Sequence, residues 1–232
     1  KTKEKTTNPI GASYPRNDVY EKVTGTAVYA DDIQFGNKLL HARAVRSPYP
    51  HAIIKRVDTS KAEKLPGVKA VVSGKDFPDR IGLYIQDKTI FATDRARYLG
   101  DPVAAVAAIS DEIAIKAAAL VEVDYEPLEG VFDAEFGASK EAPLIHPKMA
   151  EYVCPNFIFP VAGTNISNHF KIRKGDVDSA FKKCAYVVER HFVVPHIQHV
   201  PIETHIAIAQ MDEKGKITLW ASSQSPFAQR NL

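Results

Sequence analysis

Apolar and β-branched residues occur in short runs along the first part of the chain. The runs with the length and composition of a β-strand are Leu39–Val45, Ala52–Val57 and Val68–Ser73. A short helix over Lys61–Leu65 is predicted between the last two, because Asp58-Thr59-Ser60 supplies a capping side chain and Pro66-Gly67 ends it. The pattern predicts a β-β-α-β unit.

A second unit of strand, helix and strand follows. Val103–Ile109 is wholly apolar and predicts a buried strand. Ser110 or Asp111 then caps a helix whose apolar residues recur at helical spacing. The alternation over Val121–Tyr125 predicts a further strand, so the first part of the chain is expected to have an α+β fold.

The stretch Glu129–Gly163 lacks this periodicity and is rich in glycine and proline. A connection of this length is unusual unless it joins two domains or wraps a partner. We therefore predict a flexible N-terminal arm at 1–13, a first domain at 14–128, a linker at 129–163 and a second domain at 164–232.

The second domain is predicted to begin with a helix over Val177–Cys184. Three strands are expected after it, at Tyr186–Val194, Ala207–Met211 and Ile217–Ala221, and the last two form a hairpin. A helix-like start at Ser225-Pro226 comes shortly before Leu232. We therefore expect the second domain to be incomplete in this chain.

Composition narrows the class of protein without indicating its chemistry. With 45% hydrophobic and 25% charged residues among 232, the chain has ordinary globular proportions. A net charge of +2 gives no broad field for nucleic acid, and no apolar run approaches the roughly 20 residues that span a bilayer. Two cysteines exclude a disulfide scaffold. We expect a soluble, cytoplasmic protein without nucleic-acid partners.

The densest group of polar side chains that could carry chemistry is His191, His196, His199, Glu203 and His205. Zinc is bound by such ligands, but Pro195 and Pro201 prevent the histidines from sharing one helical face. We predict no protein-ligated metal and expect histidines that line a cavity by hydrogen bonding. Glu203 lies between apolar residues, where a carboxylate needs a partner, and a structural ion pair is the alternative to a functional role.

Two further features have a functional and a structural interpretation. Gln224 lies where the last strand ends and a helix begins, a place where free amides often meet anions and cofactors, and its side chain can donate two hydrogen bonds. Arg16, Arg43 and Arg46 could bind an anion, but single arginines usually form surface salt bridges. Spacing alone does not decide either case.

Several motifs, in this order, resemble the molybdenum-binding subunit of the xanthine dehydrogenase/aldehyde oxidase family. They are Arg16-x-Asp18-x-x-Glu21-Lys22-Val23-Thr24-Gly25, Tyr29-Ala30-Asp31-Asp32-Ile33, Arg46-Ser47-Pro48-Tyr49-Pro50-His51-Ala52-x-Ile54, Leu65-Pro66-Gly67-Val68, Gly100-Asp101-Pro102-Val103-Ala104, Gly175-Asp176-Val177, Ile202-Glu203-Thr204-His205 and Ser223-Gln224-Ser225-Pro226. The resemblance covers residues 14–232.

The resemblance implies an α/β hammerhead domain followed by the start of an α+β molybdopterin-binding domain. Members of this family hydroxylate carbon with oxygen from water. Their molybdenum is held by molybdopterin, as the cytosine dinucleotide or in the plain form. Electrons pass to [2Fe-2S] clusters and commonly to FAD, carried on partner domains or subunits. The expected partners are thus an Fe-S subunit, a FAD subunit and the remainder of the molybdenum domain, in a dimer of heteromers.

The resemblance also implies roles for two residues. Gln224 matches the glutamine whose amide hydrogen-bonds to the molybdenum oxo ligand, and Glu203 matches a glutamate in a supporting catalytic role. The Gly-Gly-Phe-Gly loop and the general-base glutamate of the family have no counterpart in this sequence. The chain alone is therefore expected to be inactive, either as a fragment or as one part of a split subunit.

The main hypothesis is a part of the molybdenum subunit of a multi-subunit hydroxylase that acts on an N-heteroaromatic, such as a purine or nicotinate, or on an aldehyde. The alternative from another class is a non-catalytic assembly module for partner subunits. A third and weaker hypothesis is a zinc enzyme built on the histidines between His191 and His205.

Overall fold

A computed structural model describes residues 10–11 and 13–231. The predicted arm, 1–13, lies outside the described residues except for Ile10, Gly11 and Ser13. The helices are α1 (Val19–Thr24), α2 (Ser60–Glu63), α3 (Asp111–Ala119), α4 (Ala134–Ala138), α5 (Val177–Lys183) and α6 (Pro226–Asn231). The strands are β1 (His41–Arg46), β2 (Ala52–Asp58), β3 (Val68–Ser73), β4 (Arg80–Ile81), β5 (Lys88–Thr89), β6 (Arg95–Ala96), β7 (Pro102–Ala108), β8 (Glu122–Pro127), β9 (Ala207–Met211) and β10 (Ile217–Ala221).

The chain divides into two compact units. The larger unit consists of Asn37–Val194 with Ser225–Leu232, and the smaller unit consists of Lys1–Gly36 with Pro195–Gln224. The mixture of helices and sheets confirms the predicted α+β class.

The larger unit contains two three-stranded antiparallel sheets and a short two-stranded sheet, in which β4 pairs with β5. Of the three-stranded sheets, one has the order β1-β7-β3 and the other β6-β2-β8. Strand β7 contributes to two buried clusters, because successive side chains of a strand point to opposite faces. Ala104 and Val106 pack with Ala117 of α3, whereas Val103 packs with Ile54 of β2. The whole strand is apolar because both of its faces are covered.

Helix α3 begins where the capping pattern predicts. The Ser110 hydroxyl accepts a hydrogen bond from the backbone N–H of Ile113 at 3.3 Å. Asp111 also receives two hydrogen bonds of 2.6 Å from the Arg43 guanidinium of β1. The first turn of the helix is thereby joined to the sheet that it covers.

The predicted strand over Tyr186–Val194 is wrong. This segment has no regular secondary structure, and Tyr186 is 90% exposed. A run of valines favours an extended backbone, but a strand also needs a neighbouring backbone to pair with its N–H and C=O groups. The described residues contain no such neighbour for this segment.

The stretch predicted as a linker contains α4 and a short 3₁₀ helix at Met149–Glu151. Its backbone binds strands and loops of the larger unit. The Arg95 guanidinium donates to the Leu144 carbonyl at 3.4 Å, and the Gln86 N–H donates to the Val153 carbonyl at 2.9 Å. Hydrogen bonds between irregular segments, rather than helical or strand periodicity, hold this stretch in place.

His51 makes the most enclosed of these contacts. Its side chain is only 1% exposed. Nε2 lies 2.9 Å from Nη1 of Arg95, and because a guanidinium can only donate, Nε2 is the acceptor. Nδ1 therefore carries the proton and donates to the Glu129 carbonyl at 2.6 Å. One imidazole thus connects the start of β2, β6 and the start of the 129–163 stretch.

Replacing this imidazole should destabilise the larger unit. His51→Leu leaves the Glu129 carbonyl without its donor and removes the imidazole acceptor of the half-buried Arg95 guanidinium, which should lower the free energy of unfolding by about 2 to 4 kcal/mol. Chemical denaturation measures this loss, and trypsin should cut faster at Lys140 and Lys148. His169→Leu, at an exposed position of the same unit, is the control. Equal stability of the two variants would contradict this role for His51.

Burial shifts the pKa values of two other titratable groups in the larger unit in opposite directions. Burial raises the pKa of the Asp101 carboxyl, whose Oδ2 accepts a hydrogen bond from the Arg97 N–H at 3.0 Å. Burial, helped by the cation of Arg97, lowers the pKa of His146, whose Nδ1 lies 3.1 Å from the Tyr152 hydroxyl.

The shift at His146 predicts a loss of stability in mild acid. A base whose pKa is lowered by folding binds its proton more readily in the unfolded chain. The contribution of His146 to the free energy of unfolding is therefore lost as the pH falls below 6.5, the ordinary pKa of histidine. The contribution of Asp101 to the pH dependence of stability has the opposite sign. Because folding raises the pKa of this carboxyl, its contribution to the free energy of unfolding is lost as the pH rises above 3.8. Urea unfolding gives the free energy of unfolding at about pH 7 and at about pH 5.5. The difference between these two values should be smaller for His146→Gln than for the unchanged chain. An equal difference would exclude His146 as the cause.

Candidate functional site

In the smaller unit, Ser222 extends the pairing of β9 and β10 beyond the ends of the strands. Its hydroxyl accepts a hydrogen bond from the Ile206 N–H at 3.1 Å, and its own N–H donates to the Ile206 carbonyl at 3.2 Å. The start of β9 and the end of β10 meet here, since Ala207 pairs with Ala221. Residues just before β9 and just after β10 are thus held at the same end of the hairpin.

The two predicted site residues flank this junction. Glu203 precedes it on the β9 side and Gln224 follows it on the β10 side. Both side chains are exposed, and in the part of the chain that the structure describes neither makes a hydrogen bond or an ion pair. The Gln224 amide is therefore accessible to a ligand. The expected enclosure of Glu203 among apolar side chains is not found, because Ile202 is itself fully exposed.

The histidines near Glu203 do not form the predicted cavity. All four side chains are exposed, namely His191, His196, His199 and His205. Over 10–11 and 13–231 no three His, Cys, Asp or Glu side chains come together as a metal-ligand group. The expectation of a cavity lined by histidines is wrong for the described residues, because 184–206 contain no helix or strand that would pack these side chains together.

The other end of the hairpin is fixed by its turn. Asp212 Oδ1 accepts hydrogen bonds of 2.9 Å from the backbone N–H groups of Lys214 and Lys216. Gly215 has a φ of 79°, which favours glycine. The predicted hairpin is confirmed, and its five-residue turn sets the register that brings Ala207 opposite Ala221.

One face of the hairpin is apolar and open. Met211 pairs with Ile217, and Ala209 pairs with Leu219, so these side chains share a face. Met211 and Ile217 are 70% and 67% exposed. On the other face, Trp220 meets the ring of Phe35 edge-on, with centroids 5.2 Å apart.

The three arginines considered as anion ligands are engaged within the protein. Arg16 donates two hydrogen bonds to Asp18, and together with Lys22 it holds the pKa of that carboxyl down to about 2; the hydrogen bond from Lys22 is the largest cause. Arg43 binds Asp111, as described above. Arg46 donates to the Gly100 carbonyl at 3.0 Å. The structural interpretation of these arginines is confirmed.

Comparison with known sequences gives two family matches. Residues 24–129 match the a/b hammerhead domain of aldehyde oxidase and xanthine dehydrogenase, and residues 158–232 match a molybdopterin cofactor-binding domain. Over the described residues, no helix is long and apolar enough to cross a membrane.

Several known proteins are similar over nearly the whole chain. The nicotinate dehydrogenase large molybdopterin subunit of Eubacterium barkeri is 34% identical over 223 residues, which are 95% of this chain and 49% of that protein. A probable xanthine dehydrogenase subunit of Bacillus subtilis is 35% identical, over 93% of this chain and 27% of its own length. The chain thus spans half or less of the length of these relatives.

Solved structures agree with these matches. The reconstituted CO dehydrogenase from Oligotropha carboxidovorans superposes with a TM-score of 0.77 at 30% identity, covering 95% of this chain and 28% of that one. The aldehyde oxidoreductase from Desulfovibrio gigas superposes with a TM-score of 0.70 at 30% identity, over 90% of this chain and 23% of its own. The chain therefore belongs to the aldehyde oxidase and xanthine dehydrogenase family and corresponds to part of its molybdopterin-binding subunit.

Proposed function

We propose that this chain forms part of the molybdenum subunit of a multi-subunit hydroxylase and contributes one wall of its active site. The observation that carries the proposal is the Ser222 junction, which holds Glu203 and Gln224 at the same end of the hairpin with their side chains accessible. The match of 158–232 to a molybdopterin cofactor-binding domain supports the same assignment.

The proposed cofactor is molybdopterin with molybdenum, as the cytosine dinucleotide or in the plain form. When bound, it supplies the two-electron oxidation of a carbon centre, with oxygen from water. The residues at the junction suit such a ligand, because the Gln224 amide has two N–H donors with no described protein acceptor. Gln224 would donate a hydrogen bond to an acceptor on the cofactor and orient it.

Glu203 would act beside Gln224 in a supporting role. A carboxylate accepts hydrogen bonds from groups that surround a bound cofactor, and such contacts fix their orientation. Its exposed position in this chain leaves it accessible for that purpose. The proposal assigns no proton transfer to Glu203.

The rest of the molybdenum domain is the first proposed partner, whether it lies on the same or on another polypeptide. The apolar face of Met211, Ile217 and Leu219 supports this, because an open two-stranded hairpin is only marginally stable in water. An Fe-S subunit and a FAD subunit are the further proposed partners, in a cytoplasmic dimer of heteromers.

The proposed substrates are N-heteroaromatic compounds, such as a purine or nicotinate, with aldehydes next. The names of the relatives support this order, since they include a nicotinate dehydrogenase and a probable xanthine dehydrogenase. Substrate depletion by the purified complex, tested with nicotinate, xanthine and an aldehyde in parallel, ranks these classes.

Removal of the Gln224 amide tests the catalytic part of the proposal. In the assembled complex, Gln224→Ala should lower kcat by about tenfold to a hundredfold, because a hydrogen-bond donor to the bound cofactor is lost. Molybdenum content, measured by elemental analysis, should stay near that of the unchanged complex. Gln229→Ala, at an exposed glutamine of α6, is the matched control. Full activity of Gln224→Ala would favour the non-catalytic assembly module.

A negative charge introduced on the apolar face of the hairpin tests whether this face binds the rest of the molybdenum domain. Leu219→Glu should reduce co-purification of the remaining molybdenum-domain polypeptide, or lower the stability of a continuous chain, because an unpaired carboxylate is costly to bury. Thr218→Glu, one residue away on the opposite face, is the control. Binding of a hydrophobic dye to the isolated 232-residue chain should also be weaker for Leu219→Glu. Unchanged assembly and dye binding would exclude this face as an interface.

A further inference from the structure

Segment 186–194 of the larger unit carries apolar side chains that the described residues leave exposed. Six of its nine side chains are large and apolar, with exposed fractions between 60% and 90%, namely Tyr186, Val187, Val188, Phe192, Val193 and Val194. A contiguous apolar surface of this kind marks an interaction site in soluble proteins, because its burial is favourable. The segment also has no proline and no net formal charge, so it would aggregate if nothing covered it.

The backbone of the same segment is unpaired. Its residues belong to no sheet, and within the described part of the chain none of its backbone N–H groups donates to a carbonyl. Among its carbonyls, only that of Glu189 accepts a described hydrogen bond, which comes from the Arg190 guanidinium at 2.9 Å. A row of unpaired N–H and C=O groups is a template for a further β-strand.

The order of the side chains gives this segment two different faces. In a strand, successive side chains point to opposite faces. One face is then apolar at four of its five positions, which are Tyr186, Val188, Arg190, Phe192 and Val194. The other face has Glu189 and His191 between two valines. A strand with this pattern buries its first face against a core and leaves its second face nearer to the solvent.

A second copy of this chain fits the segment poorly. One antiparallel register brings the four apolar side chains of the first face opposite one another, but it places Arg190 opposite its own counterpart. Like charges in directly opposite positions destabilise a strand pair. The register that pairs Glu189 with Arg190 places Val188 opposite His191, so it mixes the apolar and polar faces. The pattern therefore favours pairing with a strand of different sequence.

We propose that segment 186–194 adds as a β-strand to the edge of a sheet in the rest of the molybdenum domain. The identity of this partner rests on the proposed function. The match of 158–232 to a molybdopterin cofactor-binding domain supports it, as do relatives of which this chain spans half or less. Main-chain hydrogen bonds give a strand addition its affinity, and the apolar face selects its register.

Amide hydrogen exchange of the purified complex, or of a longer chain that contains these residues, tests this inference. A synthetic peptide of residues 185–194 supplies the unprotected exchange rate. In the complex, the amides of 186–194 should exchange at least about a hundredfold more slowly than in the peptide, because strand pairing protects backbone N–H groups.

Two substitutions to lysine at neighbouring positions test the assigned face. Val188→Lys places an ammonium on the apolar face and should return the exchange of 186–194 to within about threefold of the peptide rate, because an unpaired charge is costly to bury. Glu189→Lys introduces the same side chain on the other face and should keep the protection. The amides of β7 should stay protected in both variants if the larger unit remains folded.

The outcomes separate this inference from the proposed function. Exchange at the peptide rate, in a complex that contains molybdenum and oxidises its substrate, would overturn the inference and leave the proposed function standing. Protection in a complex without molybdenum would support the strand addition and reject the proposed function. Protection that appears only in a dimer of this chain, or an equal loss in both lysine variants, would overturn the inference. A chain that purifies alone and exchanges at the peptide rate would contradict both.

Discussion

Strand β7 pairs with a strand on each side and carries side chains into two buried clusters, so the packing of the whole larger unit depends on it. Ala104 and Ala108 are fully buried on the same face of the strand as Val106, and their small side chains allow α3 to approach this face. A polar residue at either position would bury an unsatisfied group. The alanine-rich composition of β7 is therefore a requirement of packing.

The smaller unit depends on a different kind of interaction. Its hairpin has few buried side chains, and backbone pairing with the Ser222 hydroxyl fixes the position of the segments around it. Glu203 and Gln224 gain their shared location from this register rather than from burial. Segments that are organised in this way remain open to a ligand and to a partner surface. This agrees with the match of 158–232 to a cofactor-binding domain.

Local patterns predicted most of the strands and helices because their causes lie within a few residues. The cap of α3 and the turn of the β9–β10 hairpin are of this kind. The strand predicted at Tyr186–Val194 failed because strand formation depends on a distant partner. The histidine cavity failed for a similar reason. His51 stands in a family motif, but its structural role could not be predicted, because its partners Arg95 and Glu129 lie 44 and 78 positions away in the sequence. The family motif indicated a functional role for Gln224, whereas the spacing of residues along the chain did not.

The order of the strands in the sheets also has a consequence for synthesis. Strands β1 and β3 do not pair with each other, and both wait for β7 between them; β2 likewise waits for β8. During translation, the first sheet cannot assemble until β7 has left the ribosome. In the second sheet β2 can pair earlier only with the two-residue β6, so this sheet cannot be completed until β8 has followed. The emerging chain therefore carries unpaired strand edges over a long interval, in which nascent-chain chaperones would find their natural binding sites.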